Sequence, residues 1–251
     1  MSILPFVIVC PLLFLAGFID SIAGGGGLIS LPAYLFAGIP IHTAIGTNKF
    51  SSAFGTSLST FRFIKGKLVI VKLAIPSVFC GFLGSAIGAK LSLLVSESLL
   101  KSLLLVVLPI AAFCVLNKKI FKTNENPDFI VTWKTFIIVM ISALVIGMYD
   151  GLYGPGTGTF LIIAFTVFAK MNIRQANAHT KVINLSTNIA ALTVYLIHGQ
   201  VMFPLGIAAA ISNMLGNYVG SSLVLTKDSK IVKPLIILVL ALLLVKIIVG
   251  F

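Results

Sequence analysis

The chain has 251 residues, of which 59% are hydrophobic and only 10% are charged. Soluble domains carry about a quarter charged residues, so this composition excludes an ordinary soluble domain and indicates a multi-pass membrane protein. The charge is strongly basic, with 18 Lys and Arg against 6 Asp and Glu. Most of these cations lie in short gaps between apolar runs, which favours membrane lipid headgroups over nucleic acid as their partner.

Ten apolar runs are predicted to form membrane helices, which gives an all-α fold. In chain order the runs are 3–19, 28–38, 43–63, 68–93, 99–116, 130–149, 158–169, 176–197, 201–225 and 232–249. A straight helix needs about 20 residues to cross a hydrocarbon core of about 30 Å. The second and seventh runs are much shorter, and each follows a glycine-rich break. We therefore expect broken or re-entrant helices at these two places.

The two halves of the chain carry similar motifs in the same order. The matching stretches are 17–27 with 147–157, 46–49 with 178–181, and 83–88 with 215–220. The offset between them lies between 130 and 133 residues. This pattern predicts two transmembrane repeats of five segments each, at 1–116 and 130–251, joined by a cytoplasmic polar linker at 117–129.

The basic residues predict how the repeats lie in the membrane. Thirteen of the 18 cations fall in or beside four gaps, near 62–72, 118–134, 170–174 and 227–233. If all ten runs cross, these gaps share one side, which the positive-inside rule makes the cytoplasm. Both ends of the chain would face outside. An odd number of segments per repeat then inverts the second repeat relative to the first, as in many secondary transporters.

The glycine breaks are the first candidates for a substrate site. Their residues are Gly24, Gly25, Gly26 and Gly27 in the first half, and Gly154, Gly156, Thr157 and Gly158 in the second. Unwound backbone at membrane depth needs protein, water or substrate to satisfy its polar groups. The helix that follows each break would direct N–H groups at an anion. Close helix packing or a plain turn is the alternative, but recurrence in both halves favours a site.

Two acids stand next to these breaks, Asp20 and Asp150. An acid at membrane depth is by default a candidate functional residue. The carboxylates are candidates for proton coupling. Alternatively, they could bind a cation. A structural role is equally open, either as a cap for the next half-helix or as an ion pair with a nearby Lys.

Two lysines occupy matching positions near the start of the third and eighth runs. Lys49 follows Asn48, and Lys181 follows Thr180. A Lys that faces the bundle interior can hold an anion or pair with an Asp, whereas one that snorkels to the headgroups has neither role. Ser52 and Asn184, about one turn further on, would share the faces of these lysines. We predict substrate-binding roles for Asn48, Lys49, Thr180, Lys181 and Asn184.

At these motifs the chain resembles the sulfite exporter TauE/SafE family of membrane transporters. The resemblance is carried by Gly17-Phe-Ile-Asp20 with its glycine run, by Gly46-Thr-Asn48-Lys49, by their second-half copies, and by the Leu-Gly-x-x-x-Gly pattern late in each half. It implies transport of sulfite, sulfonates or other small sulfur-containing or organic anions. Pro155 and Thr157 interrupt the second glycine run, so an exactly symmetric site is not expected.

The sequence therefore predicts a secondary transporter in the plasma or inner membrane that moves a small anion by alternating access. An anion channel of the same architecture is the main alternative, and a structural or accessory subunit is less attractive. An enzyme is not expected, because no HExxH, GxSxG or Ser/His/Asp clustering occurs. No cofactor or metal is expected, because Cys10, Cys80 and Cys114 lie in apolar runs without ligand spacing. A homo-oligomer remains open.

Overall fold

The computed structural model describes residues 3–100, 102, 103, 106, 109 and 130–226. Every regular element in these ranges is helical. The helices are α1 (Leu4–Ala23), α2 (Gly27–Phe36), α3 (Ile41–Lys65), α4 (Val71–Leu94), α5 (Trp133–Leu152), α6 (Thr157–Ile163), α7 (Ile173–Ile197) and α8 (Phe203–Thr226). A π-helical stretch, Ala164–Phe168, extends α6.

Eight of the ten predicted runs correspond to these helices, with bounds that agree within four residues when the π-helical stretch is counted with α6. The largest difference is at α1, which continues through Asp20 to Ala23 and ends where Gly24 adopts a left-handed conformation. The predicted run 99–116 lies mostly outside the described residues. The predicted linker 117–129 and the run 232–249 lie entirely outside them, as does Cys114.

Four of the helices, α1, α4, α5 and α7, are long and apolar enough to cross a membrane. Helices α3 and α8 are of similar length, at 25 and 24 residues, but they are not among these four, and both carry several polar residues. Many of those polar side chains are buried among the helices rather than exposed. Large apolar side chains such as Phe79 and Ile211 face outward, as expected of a surface that contacts lipid.

The first helix of each half packs against the fourth helix of the other half. Helix α1 packs along α8, and α4 packs along α5. Glycines permit both approaches, because a Cβ at Gly84 or Gly88 would overlap the α5 backbone, and one at Gly216 or Gly220 would overlap the α1 backbone. These two GxxxG pairs thus let the helices approach closely.

Helices α3 and α7 lie between these two layers. Helix α3 packs against α8, and α7 packs against α4. The two central helices also pack against each other. Helix α7 begins three residues earlier than predicted because the side chain of Asn172 caps it, accepting a hydrogen bond of 2.9 Å from the Gln175 N–H. Lys49 lies about two turns from the start of α3, and Lys181 lies about two turns from the start of α7. Both side chains are buried.

Candidate functional site

The two glycine breaks meet each other inside the helix bundle. A Cβ at Gly24 would overlap the backbone of Gly158, and a Cβ at Gly158 would overlap that of Gly24. The Thr159 hydroxyl donates a hydrogen bond of 3.2 Å to the Ala23 carbonyl, which joins α6 to the end of α1. The interruption in each half is therefore held in place by the interruption in the other.

Several polar groups of the unwound backbone are satisfied within the protein. The Gly154 carbonyl accepts hydrogen bonds from the Thr157 N–H at 3.2 Å and from the Thr157 hydroxyl at 2.7 Å. The Tyr149 hydroxyl donates to the Pro155 carbonyl. In the first half, the Gly24 N–H donates to the Asp20 carbonyl at 2.9 Å. These bonds offset part of the cost of breaking a helix at membrane depth.

Two buried ion pairs cross between the halves of the chain. The Lys49 ammonium lies 2.8 Å from an Asp150 carboxylate oxygen, and the Lys181 ammonium lies 2.7 Å from one of Asp20. The Lys181 side chain is fully buried, and that of Lys49 is 2% exposed. Neither lysine snorkels to a headgroup layer, so of the sequence-based alternatives the Lys–Asp pairing is the one observed.

The position of the two acids also excludes one sequence-based role. Asp20 and Asp150 lie in the last turns of α1 and α5, not in the breaks that follow. The residues that cap the next helices are Gly26 and Gly156, and neither helix receives a side-chain cap. The carboxylates are therefore partners of buried ammonium groups rather than helix caps.

A small polar cavity opens where the breaks and the ion pairs come together. Its volume is about 40 Å³. Since one water molecule needs about 10–15 Å³ of such space, the cavity has room for a few waters or one small polar guest. The predicted site residues that line it are Asp20, Gly24, Gly26, Gly27, Asn48, Lys49, Asp150, Gly154, Thr157, Gly158 and Asn184.

Four predicted site residues do not line this cavity. Lys181 lies behind Asp20, and the neighbouring Thr180 is buried within α7. Gly25 packs against the side chains of Leu28 and Thr159. Gly156 adopts a left-handed conformation with a φ of 84° at the start of α6. Their predicted contact with substrate stays a prediction.

Four further residues line the cavity although they are not among the site residues predicted from the sequence. These residues are Ser52, Thr56, Asn188 and Asn213. The sequence predicts Ser52 on the face of Lys49, and Thr56 follows Ser52 by one turn. Asn188 follows Asn184 by the same interval. A polar stripe at four-residue spacing on each central helix was thus the available signal, whereas nothing in the motifs indicated Asn213.

Comparison with known proteins identifies the family. The family model described as "Sulfite exporter TauE/SafE" matches residues 9–247. The chain belongs to the sulfite exporter TauE/SafE family. It is a membrane transporter of that family, and the resemblance seen in the repeated motifs is confirmed. No solved structure matches the chain.

Relatives of this TauE/SafE protein occur in several bacteria. It is 36% identical over 227 residues to "Probable membrane transporter protein ORF9" of Sinorhizobium sp, covering 90% of this chain and 85% of the relative. It is 34% identical to "Probable membrane transporter protein YfcA" of Escherichia coli K12, covering 90% and 83%. A "Probable membrane transporter protein" of Haemophilus influenzae is 31% identical, with coverage of 90% and 87%.

Proposed function

We propose that this chain is a secondary transporter that carries a small sulfur-containing or organic anion across the plasma membrane by alternating access. The observation that carries the proposal is the crossed arrangement of the two ion pairs beside the polar cavity. Buried ionisable groups in a membrane protein are costly and mark substrate or ion pathways. Here they lie where both helix breaks meet, which is the typical place for the substrate of a secondary transporter.

Lys49 is the residue best placed to hold the anion. Its ammonium lines the cavity, and the Asp150 carboxylate occupies the position that a substrate anion would compete for. In the empty transporter the carboxylate neutralises the ammonium, which removes most of the cost of burying it. An incoming anion can replace that carboxylate only when Asp150 is itself neutralised.

Protonation of Asp150 would provide that neutralisation and would couple transport to protons. A proton from water would bind to a carboxylate oxygen of Asp150, and the still-charged Lys49 would then bind the anion. The occupied site would carry the same net charge as the empty one. A monovalent anion and one proton would therefore move together without net charge crossing the membrane. Asp20 and Lys181 form the equivalent pair from the other half, in which Asp20 lines the cavity and Lys181 does not.

The packing of the described helices supports an inverted repeat as the basis of alternating access. Exchanging the two halves turns the α1–α8 contact into the α5–α4 contact, and it turns the Asp20–Lys181 pair into the Asp150–Lys49 pair. Each contact therefore has a counterpart in the other half. Two such similar arrangements around one cavity allow the opening to move from one side of the membrane to the other.

The substrate class rests on the charge of the site and on the family. The family description names a sulfite exporter, and the relatives described above are named only as membrane transporters. The small volume of the cavity favours sulfite, a short sulfonate or a short carboxylate over a large organic anion. We place no catalytic chemistry in the site.

The experiment that tests this proposal is uptake of radiolabelled anions by proteoliposomes containing the full chain. The anions are sulfite, sulfate, thiosulfate, methanesulfonate and acetate. We expect saturable uptake of at least one of them, together with exchange against unlabelled anion inside the vesicle. Lys181→Ala and Asp150→Asn are expected to abolish net uptake, because each leaves one buried charge of the empty transporter without its partner. Lys72→Gln, which alters an exposed Lys at the start of α4, is the matched control.

The outcomes separate a carrier from the alternatives. Saturable exchange supports a carrier, and single-channel currents in a planar bilayer would establish the anion channel instead. Uptake at the wild-type rate in both Lys181→Ala and Asp150→Asn would remove the ion pairs from the mechanism. Each variant is compared by gel filtration in detergent, so that a misfolded chain is not mistaken for an inactive one.

A further inference from the structure

Asn213 extends into the cavity from a helix that carries no predicted site residue. It lies in the middle of α8, is 4% exposed, and lines the cavity together with Lys49 and Asn184. A carboxamide at this depth needs hydrogen-bond partners for its oxygen and for both of its N–H groups. The partners it has, and the one it lacks, indicate what it does.

Two hydrogen bonds fix the orientation of the Asn213 carboxamide. Its Nδ2 donates to the Leu13 carbonyl at 3.3 Å, and its Oδ1 accepts from Asn217 Nδ2 at 2.9 Å. Asn217 Nδ2 also lies 3.1 Å from the Asn213 carbonyl, so both acceptors fix its own orientation. The second N–H of Asn213 has no partner among the described residues.

Two glycines on neighbouring helices make room for this pair of asparagines. A Cβ at Gly55 of α3 would overlap Asn213 Oδ1, and a Cβ at Gly17 of α1 would overlap the Asn213 carbonyl. Helices α1, α3 and α8 thus approach one another around Asn213 and Asn217. A side chain in place of either glycine would therefore displace Asn213.

The other half of the chain shows that such a junction packs well without a carboxamide. By the offset of 132 residues, Gly81 and Ser85 of α4 are the counterparts of Asn213 and Asn217. There the Ser85 hydroxyl donates to the Thr187 carbonyl at 2.6 Å, and Gly81 lies against side chains of α7. Helix packing alone therefore does not require Asn213, and its cavity-facing position points to the guest.

We propose that Asn213 is a specificity-determining residue whose free N–H donates to the transported anion, and that Asn217 is the positioning residue that holds it. The proposal rests on the function proposed above. A neutral donor that is already oriented strengthens anion binding without adding a buried charge. Because it approaches from α8 while Lys49 approaches from α3, the two donors would contact different atoms of one anion.

The test compares the concentration dependence of uptake in proteoliposomes, with [35S]sulfite and [14C]methanesulfonate as probes. Asn213→Ala is expected to raise the half-saturating concentration about tenfold and to leave the maximal rate within about twofold, since one hydrogen bond to a charged group is lost. Asn213→Asp has the same size but adds a negative charge, and a rise of about a hundredfold or more is expected. Ser222→Ala, on an exposed part of α8, is the control.

Asn217 is tested by coupling to Asn213. Asn217→Ala should raise the half-saturating concentration, and the double variant with Asn213→Ala should behave as Asn213→Ala alone, because a positioning residue acts through the group it holds. Additive effects would contradict the positioning role.

Unchanged half-saturating concentrations in both Asn213 variants would overturn the inference, as would a fall in maximal rate alone. These results leave the proposed function intact if Asp150→Asn still abolishes uptake. If the wild-type chain takes up another of the five anions instead, that anion serves as the probe; a wild-type chain that takes up none of the five contradicts the proposed function, and this inference with it.

Discussion

Lys49 and Asp150 lie 2.8 Å apart although they belong to different halves of the chain. Lys181 and Asp20 make the reciprocal contact at 2.7 Å. Each central helix therefore contributes a cation that is neutralised by the end of the other half's first helix. Movement of one half against the other must change these contacts, which links the charge of the site to the conformation of the transporter.

Removing one member of a pair is predicted to destabilise the protein more than removing both. Asp150→Asn leaves the Lys49 ammonium buried without its partner, at a cost of about 3–5 kcal/mol. The double variant Asp150→Asn with Lys49→Gln replaces the pair by two neutral groups and should recover most of that loss. Thermal melting in detergent measures the difference. A single variant as stable as the wild type would show that the pair is not buried in the membrane.

The contact between the two helix breaks gives a second prediction. Gly24→Ala should cost at least about 3 kcal/mol, because the new Cβ meets the Gly158 backbone and the residue has a φ of +73°. Gly38→Ala is the matched control, since Gly38 also has a positive φ, of +77°, but faces open space. It should cost only about 1–2 kcal/mol. Equal melting temperatures for the two variants would contradict contact between the breaks.

The close approach of α4 to α5 gives a third prediction. Gly88→Ala should cost about 1–3 kcal/mol, because its Cβ would overlap the Met148 carbonyl. Gly81→Ala lies on the same helix, but its Cβ meets only methyl groups of Ile183 and Thr187, at 3.1 and 3.3 Å. These side chains can move slightly, so a smaller loss is expected. A reversed order of stability would contradict the helix packing described here.

Proton coupling gives a fourth prediction. An inwardly directed proton gradient should accelerate anion uptake several-fold, because external protons would neutralise Asp150 and release Lys49 for the anion. Methanesulfonate is a suitable probe because a sulfonate stays ionised on both sides of such a gradient. A protonophore should remove the acceleration. Uptake that is indifferent to the gradient, in vesicles shown to hold it, would exclude proton coupling.

The helices and most of the cavity lining could be predicted from the sequence because both leave local signals. Apolar runs located α1 and α4, and repeated motifs located Asp20, Lys49 and their copies. The spacing of about one helical turn predicted that Ser52 and Asn184 share the helix faces of Lys49 and Lys181. These predictions need only the periodicity of a helix and the preference of the bilayer core for apolar side chains.

Contacts between distant parts of the chain could not be predicted in the same way. The motifs did not indicate which lysine pairs with which acid, since Asp20 lies 29 residues from Lys49 but contacts Lys181. Asn213 is not predicted as a lining residue because its position at the cavity depends on packing against Gly17 and Gly55, which only folding brings beside it. The buried position of Lys181 behind Asp20 likewise depends on tertiary packing.

The most direct test of the central claim is saturable uptake by the charge-neutral double variant Lys49→Gln with Asp150→Asn, in proteoliposomes loaded with equal amounts of protein. The variant is expected to retain the fold, because two neutral groups replace the buried pair, but it lacks the ammonium that would bind the anion. We predict uptake no faster than in protein-free vesicles, while Lys72→Gln transports at the wild-type rate. Wild-type uptake and half-saturation in the double variant would show that the anion crosses without contacting Lys49.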